Sequence, residues 1–310
     1  MDRIEAMETF IAVVDEGGFA AAARRLGHSP AAVTRAIAFL EAHLNARLLH
    51  RTTRSVGLTE AGQRFVEACR RVLADMKEAE LMMSGERAAP RGVLVVTAPV
   101  SFGQLRVRPH VDKYLESYPT MQVRLLLLDR VVNLIDEGVD VAVRLGHLPE
   151  SNLIAYSVGE VRRVICASPK YLAGKSPLRK PSDLQAHACI FFSQVTPNES
   201  WTFSGGPRGK GAQSVRLKPR LTVNTALAAI ESCVEGHGVA CVLSYQVEFH
   251  VAAGRLRILL EGFEPAPLPV HVVFQEARLA AAKTRAFVDM LVPALRRELS
   301  PRKSRRINGR

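Results

Sequence analysis

Over the first ninety residues the apolar positions recur at helical spacing. Met7, Phe10, Ile11 and Val14 fall at i, i+3, i+4 and i+7, which predicts an amphipathic helix that Gly17 and Gly18 stop. Ala20–Leu26 reads as a second, short helix, with Gly27 at its C′ position. Ser29 then serves as N-cap and Pro30 as first residue of a third helix, with Val33, Ile37, Leu40 and Leu44 as its buried stripe. Ser29, Pro30, Ala32, Thr34, Arg35 and Ala38 are left to face outward. Arg47–Leu58 reads as a short two-stranded wing. From the N-cap Thr59 a long helix follows, with Phe65, Cys69, Val72, Met76, Ala79 and Met83 spaced 4, 3, 4, 3 and 4 apart. So narrow a seam predicts pairing with a second copy, packing on the chain's own domain being the alternative. Gly85 to Gly92 ends the helix and forms a linker.

After residue 92 the period changes. Val93–Thr97, Val123–Leu128 and Val139–Arg144 read as buried strands, with helices predicted from Gly103 to Ser117 and from Val131 to Glu137. The pattern restarts with strands at Val161–Ala167, Cys189–Phe192, Arg220–Val223 and Val239–Leu243, and with helices at Ser182–His187 and Thr225–Glu235. Prolines 265, 267 and 269 mark a crossing, after which come a strand at Val270–Phe274 and a closing helix at Ala280–Leu299. Alternating strands and helices predict βαβ units, parallel sheets and two α/β lobes joined near residues 160 and 265.

Composition narrows the class. The 310 residues are 47% hydrophobic, which excludes wholesale disorder, and no apolar run reaches the ~18 residues of a membrane helix. Acidic residues at Asp2 and Glu5 argue against an export signal. Five cysteines (Cys69, Cys166, Cys189, Cys233, Cys241) without a CxxC pair point to reduced thiols in a cytoplasm. The net charge is +12, and its placement matters more than its sum. Residues 17–58 hold six arginines (24, 25, 35, 47, 51 and 54) against one acid, Glu41. Such a block fits a nucleic-acid footprint, since clustered arginines neutralise phosphates; an ordinary solvated face is the bland reading. The tail 301–310 adds five cations and no acid, and reads as a solvated, disordered segment that could add non-specific DNA attraction.

Two short helices around a tight glycine turn form the helix-turn-helix plan, whose second helix enters a major groove. Small residues at its front let the backbone approach the bases, Thr34 offers a hydroxyl, and Arg35 can fork onto guanine or grip a phosphate. Arg51, Thr52, Thr53 and Arg54 suit phosphates or a minor groove. Between two α/β lobes, ligands bind beyond the carboxyl ends of the strands. The corners there carry Pro99, Ser101, Phe102, Asp129, Arg144, Gly146, Asn224 and Thr225. Helices starting near Ser101 and Thr225 would favour an anion, with Phe102 stacking on its body, although Ser101, Asn224 and Thr225 could also serve only as N-caps. No GxSxG, HExxH, P-loop or GxGxxG occurs, and the nine histidines form no i, i+4 pair, so no catalytic, cofactor or metal site is expected.

These residues carry a resemblance. Met7-Glu8-Thr9-Phe10, Gly18-Phe19, Ala21–Gly27, Ser29–Ile37, Leu40-Glu41, Arg47–Leu49, Arg51–Arg54 and Leu58–Gly62 together resemble the LysR-type transcriptional regulators. Thr97–Gly103 and Gly138–Arg144 extend the match. The resemblance implies an α/β chain with a winged helix-turn-helix at 1–58 and a linker helix and hinge at 59–91. A two-lobed effector-binding domain, like the periplasmic binding proteins, would follow at 92–300, with lobe I at 92–160 and 266–300 and lobe II at 161–265. It implies a non-enzymatic dimer or tetramer on interrupted dyad promoter DNA, a small-molecule, anionic effector in the pocket formed by the corners, and RNA polymerase as a further partner. Gly18 stands where the family usually has Ser, and Ser244 where it usually has Pro. A solute-binding protein or enzyme with an appended DNA-binding segment, and a non-specific architectural protein, are the rival readings.

Overall fold

The computed structural model describes residues 2–51, 56–83, 89–149, 151–193, 199–206, 211–279 and 281–300. The chain divides into two compact units, Met1–Ala89 and Pro90–Arg310.

In the first unit α1 (Arg3–Asp15) begins at Asp2, whose carboxylate accepts the Ile4 N–H at 3.3 Å. Its buried face is centred on Ala6, Phe10 and Val13, and Met7, Ile11 and Val14 lie at the margin of the core. Helix α2 (Phe19–Leu26) starts at Gly18 with no side-chain cap and ends on Gly27 in the left-handed region. Helix α3 (Pro30–Leu44) starts at Ser29, whose hydroxyl accepts the Ala32 N–H at 3.1 Å. Val33, Ala36, Ile37 and Leu40 fill its buried stripe. Leu44, expected to complete that stripe, is exposed, because the helix ends there on left-handed Asn45 and the chain turns away.

Strands β1 (Leu49–Arg51) and β2 (Val56–Leu58) pair antiparallel, Leu49 opposite Leu58. Thr59 then caps α4 (Glu60–Met83), accepting the Gly62 N–H at 2.9 Å. The helix passes so close to the wing that a Cβ on Gly62 would sit 2.0 Å from the Leu48 carbonyl oxygen, so only glycine fits.

Helix α4 does not carry a free seam along its length. Val66 and Cys69 are buried in the core of α1–α3, and the Phe65 ring lies 5.7 Å from Phe10. The first half of the expected interface, Phe65 and Cys69, is therefore consumed by the chain's own core, while Val72 and Met76 stand exposed. The side chains of Ala79 and Met83 lie outside the described residues.

The second unit holds two five-stranded sheets. One is ordered β4 (Met121–Leu127), β3 (Gly92–Ala98), β5 (Val141–Leu145), β14 (Leu268–Phe274), β6 (Ile154–Val161). The other is ordered β11 (Pro219–Val223), β8 (Cys189–Phe192), β12 (Val239–Leu243), β7 (Arg163–Ala167), β13 (Arg257–Leu259). Both are mixed rather than parallel: β14 runs antiparallel to β5 and β6, and β7 antiparallel to β12 and β13. The strands that cross between lobes enter each sheet from the opposite end, which imposes that reversal.

A helical run follows β3, as α5 (Val100–Phe102), a π turn at Gly103–Val107 and α6 (Arg108–Ser117), and so begins three residues earlier than expected. The remaining helices are α7 (Pro169–Leu172), α8 (Ala226–Val234), α9 (Ser244–Ala252), α10 (Glu276–Leu279) and α11 (Ala282–Leu299). Strands β9 (Ser200–Ser204) and β10 (Ala212–Arg216) form a hairpin that seats Trp201 against Phe191, ring centroids 5.3 Å apart.

The helix expected over Val131–Glu137 is absent: 134–138 form turns. Asn133 Oδ1 accepts the Ile135 N–H at 3.0 Å, an Asx turn that competes with helical bonding, and Arg130 forks onto Glu137 with both bonds at 2.7 Å. His110 is buried and bonds Glu298 at 3.0 Å.

Candidate nucleic-acid interface and inter-lobe cavity

At the start of α3 the sequence leaves Ser29, Pro30, Ala31 and Arg35 exposed and Ala32 and Thr34 half-buried. Pro30 at the first helical position removes an N–H that would have had no partner. Thr34 donates its hydroxyl to the Pro30 carbonyl at 2.9 Å, so its oxygen is left only to accept. Arg35 makes no ion pair among the described residues, and its five N–H donors point to solvent from an exposed site. Arg25, counted in the basic block, is engaged by Glu16 at 3.2 Å and Asp15 at 3.7 Å. Glu41, the block's one acid, turns inward and accepts the Leu48 and Leu49 N–H groups at 2.8 and 3.3 Å. The block's one acid is thus turned away from the outward face that carries Arg35. In the wing, Thr52 and Arg54 lie outside the described residues, as does the side chain of Arg51.

Within the second unit the two sheets enclose a cavity of about 390 Å³. Pro99, Ser101, Asp129 and Gly146 line it, four of the eight corner residues marked in the sequence. Asp129 accepts the Val100 N–H at 3.0 Å, and Gly146, at φ 104°, donates its N–H to the Pro269 carbonyl at 2.8 Å.

The other four corner residues are elsewhere. Phe102 is fully buried, its ring edge-on to Tyr245 at 5.1 Å, because an apolar ring at the first helical turn packs beneath the sheet rather than into the opening. Arg144 lies under the 130–138 loop and donates to the carbonyls of Val132 at 2.9 Å and Arg130 at 3.5 Å. Thr225 caps α8 through the Ala228 N–H at 3.4 Å, and neither it nor Asn224 lines the cavity.

In their place the wall is completed by Leu145, His147 and Leu268 from the first sheet, and by Arg163, Phe192, Leu243, Tyr245 and Gln246 from the second lobe. No local sequence signal marks Arg163. It follows the crossover directly, and only the register of β7 against β12, Arg163 opposite Leu243, places it at the opening. Its Nε is buried and has no hydrogen-bond partner. Burial holds the Tyr245 phenol well above its ordinary pKa, and the neighbouring Asp129 charge adds to that shift. Burial pushes the Cys241 thiol up to about 12 although the Arg163 guanidinium opposes it. Among the described residues no group of three or more His, Cys, Asp or Glu could hold a metal ion, and no helix is long and apolar enough to cross a membrane.

Known proteins share both units. Residues 4–63 match the bacterial regulatory helix-turn-helix protein, lysR family, and residues 87–296 match the LysR substrate binding domain. An HTH-type transcriptional regulator from Xanthomonas campestris is 34% identical over 92% of this chain and 83% of its own. The Escherichia coli regulator DmlR is 33% identical over 92% of each. The solved structure of CrgA, a LysR-type transcriptional regulator from Neisseria meningitidis, is 30% identical with a TM-score of 0.60, covering 94% of this chain and 98% of that one. The two family models together cover nearly the whole chain, and the chain belongs to the LysR family of DNA-binding transcriptional regulators, with a helix-turn-helix and an effector-binding domain.

Proposed function

We propose that the protein works as a dimer or tetramer in the cytoplasm, binds interrupted dyad promoter sites, and changes its grip or bend on them when a small anionic effector enters the inter-lobe cavity. The observation that carries the DNA part is the outward face of α3: an exposed, unpaired Arg35 behind a front of Ser29, Pro30 and Ala32. Ser29 and Pro30 meet the phosphates at the groove's edge, Ala32 leaves room for the backbone to approach the bases, and Thr34 accepts from an exocyclic amine. Arg51, Thr52 and Arg54 hold the flanking backbone or minor groove. A symmetric pair of such helices requires half-sites one helical turn or a multiple apart. Where two dimers share a site, the DNA between them bends, and the effector acts through its differential affinity for two arrangements of the lobes. RNA polymerase is the partner through which bound protein would alter initiation.

The cavity supports the effector part, with Pro99, Ser101, Asp129 and Gly146 on one wall. The alternative, a solute-binding protein or enzyme with an appended helix-turn-helix, finds no favouring observation.

Footprinting on the intergenic DNA beside the protein's own gene, with and without candidate carboxylates, tests the reading. The expected result is an interrupted, dyad-related protection whose extent changes with a carboxylate. Arg35→Ala should weaken that specific complex by about 1–3 kcal/mol with little effect on random DNA. A uniform loss on all sequences, with a shallower salt dependence, would reassign Arg35 to phosphate alone.

A further inference from the structure

We propose that the effector is a small hydroxy or amino carboxylic acid that bridges the lobes, its carboxylate on Arg163 and its hydroxyl or ammonium donor on Asp129. This rests on reading the inter-lobe cavity as the effector site and goes beyond it by naming both poles of the ligand.

Asp129 and Arg163 are the carboxylate and the guanidinium of the wall, and they come from opposite lobes. They form no ion pair with each other, and the cavity lies between them. Arg163 stands apart from its neighbours. Arg162 is bonded to Glu264, Arg130 to Glu137 and Arg106 to Glu248, whereas Arg163 meets no carboxylate among the described residues; its buried Nε, like that of Arg106, has no acceptor. Arg163 lines the cavity, and a ligand carboxylate there matches the guanidinium fork with two parallel bonds.

On the other wall Asp129 spends one oxygen on the Val100 N–H, which fixes the carboxylate and leaves the second oxygen an acceptor. An ionised carboxylate only accepts, so it meets a hydroxyl or ammonium group and repels a second acid. Between the poles Leu145, Phe192 and Leu243 offer apolar surface, and about 390 Å³ admits one ring or a branched chain. A ligand holding one lobe by each end binds best when the lobes stand at one spacing, which is the differential affinity an effector needs.

The test is calorimetric titration of the full-length protein with a panel of hydroxy and amino monocarboxylates having single-ring or branched bodies. Each is run beside its methyl ester, its analogue lacking the hydroxyl or amine, and the matching dicarboxylate. The strongest ligand should be a hydroxy or amino acid. Its ester should bind about 100-fold more weakly, and the analogue without the donor about 10-fold more weakly. Arg163→Gln should bind acid and ester alike, Arg163→Lys should restore part of the preference, and Asp129→Asn should erase the preference for the donor group. An ester that binds native protein as well as its acid, a dicarboxylate that binds best, discrimination retained by Arg163→Gln, or no binding across the panel would each overturn the assignment. A neutral compound that bound the cavity and altered the footprint would leave the effector reading standing. If no compound of any class altered the footprint, that reading would fall with this one.

Discussion

Glu41 shows how one side chain serves both structure and surface charge. It is the single acid between residues 17 and 58, and it is used as an internal acceptor for two backbone N–H groups where α3 hands over to the wing. A carboxylate there joins helix to wing without cancelling the outward arginines. Glu41→Ala leaves the Leu48 and Leu49 amides unpartnered at a part-buried site and should loosen the wing by about 1–3 kcal/mol. The check is hydrogen exchange: those two amides should exchange faster, while the α1 amides keep their protection. Residues whose roles are local were legible in the sequence. The Ser29 cap, Pro30 at the helix start, left-handed Gly27 and the Thr59 cap each depend on neighbours within four positions. Arg163, Tyr245 and Gln246 depend on a crossover and a strand register, which no short window of sequence reveals.

At the scale of the element, α4 shows why a periodic pattern and its use can part company. The steps of 4 and 3 give one continuous stripe, but the three short helices beneath need a lid, and the first turns of α4 supply it with Phe65, Val66 and Cys69. Burial pushes the Cys69 thiol up to about 11, as befits a core position rather than a contact that opens to solvent. Among the described side chains the stripe is exposed at Val72 and Met76. On the proposed pairing with a second copy, Val72→Glu combined with Met76→Glu should shift the protein toward the monomer in sedimentation velocity while α1–α3 stay folded. Phe65→Ala should do the reverse, costing about 3–5 kcal/mol of core packing with association lost only as the unit unfolds. The same logic explains the missed elements. The 130–138 loop carries a helix-like run of apolar residues, but Asn133 and the Arg130–Glu137 fork hold it in turns. The β9–β10 hairpin was hidden because its strand signal is short and polar on one face.

In the molecule as a whole, the regulatory unit works through two chain crossings, and they are fastened to each other. Ser244 donates its N–H to the Arg162 carbonyl at 2.8 Å, and its hydroxyl accepts the Arg162 N–H at 3.2 Å. Ser244 takes the place where the family usually has proline, which could do neither. The Arg162 guanidinium reaches both oxygens of Glu264, in the second crossing, at 2.9 Å each. These contacts tie the two crossings together, so any change of lobe spacing under the proposed effector response would act on this joint.

The fastening also carries a pH signature. Burial raises the Glu264 pKa above its ordinary value, and Arg162 offsets only part of that. Below the unfolded value both states are protonated and the group makes no difference. As pH rises, the unfolded chain loses its proton first, so folding is progressively disfavoured until the raised folded value is passed. Glu264→Gln removes this titration. Trp201 is the chain's single tryptophan and is buried in the regulatory unit, so its fluorescence follows that unit alone during urea unfolding. The stability of Glu264→Gln relative to the native protein should therefore climb as pH rises from the ordinary glutamate range and level off once the folded carboxyl has ionised. A difference that stayed flat across that window would mean that the Arg162 contact balances the burial, and one that fell would mean that it outweighs the burial and that the joint is held by charge.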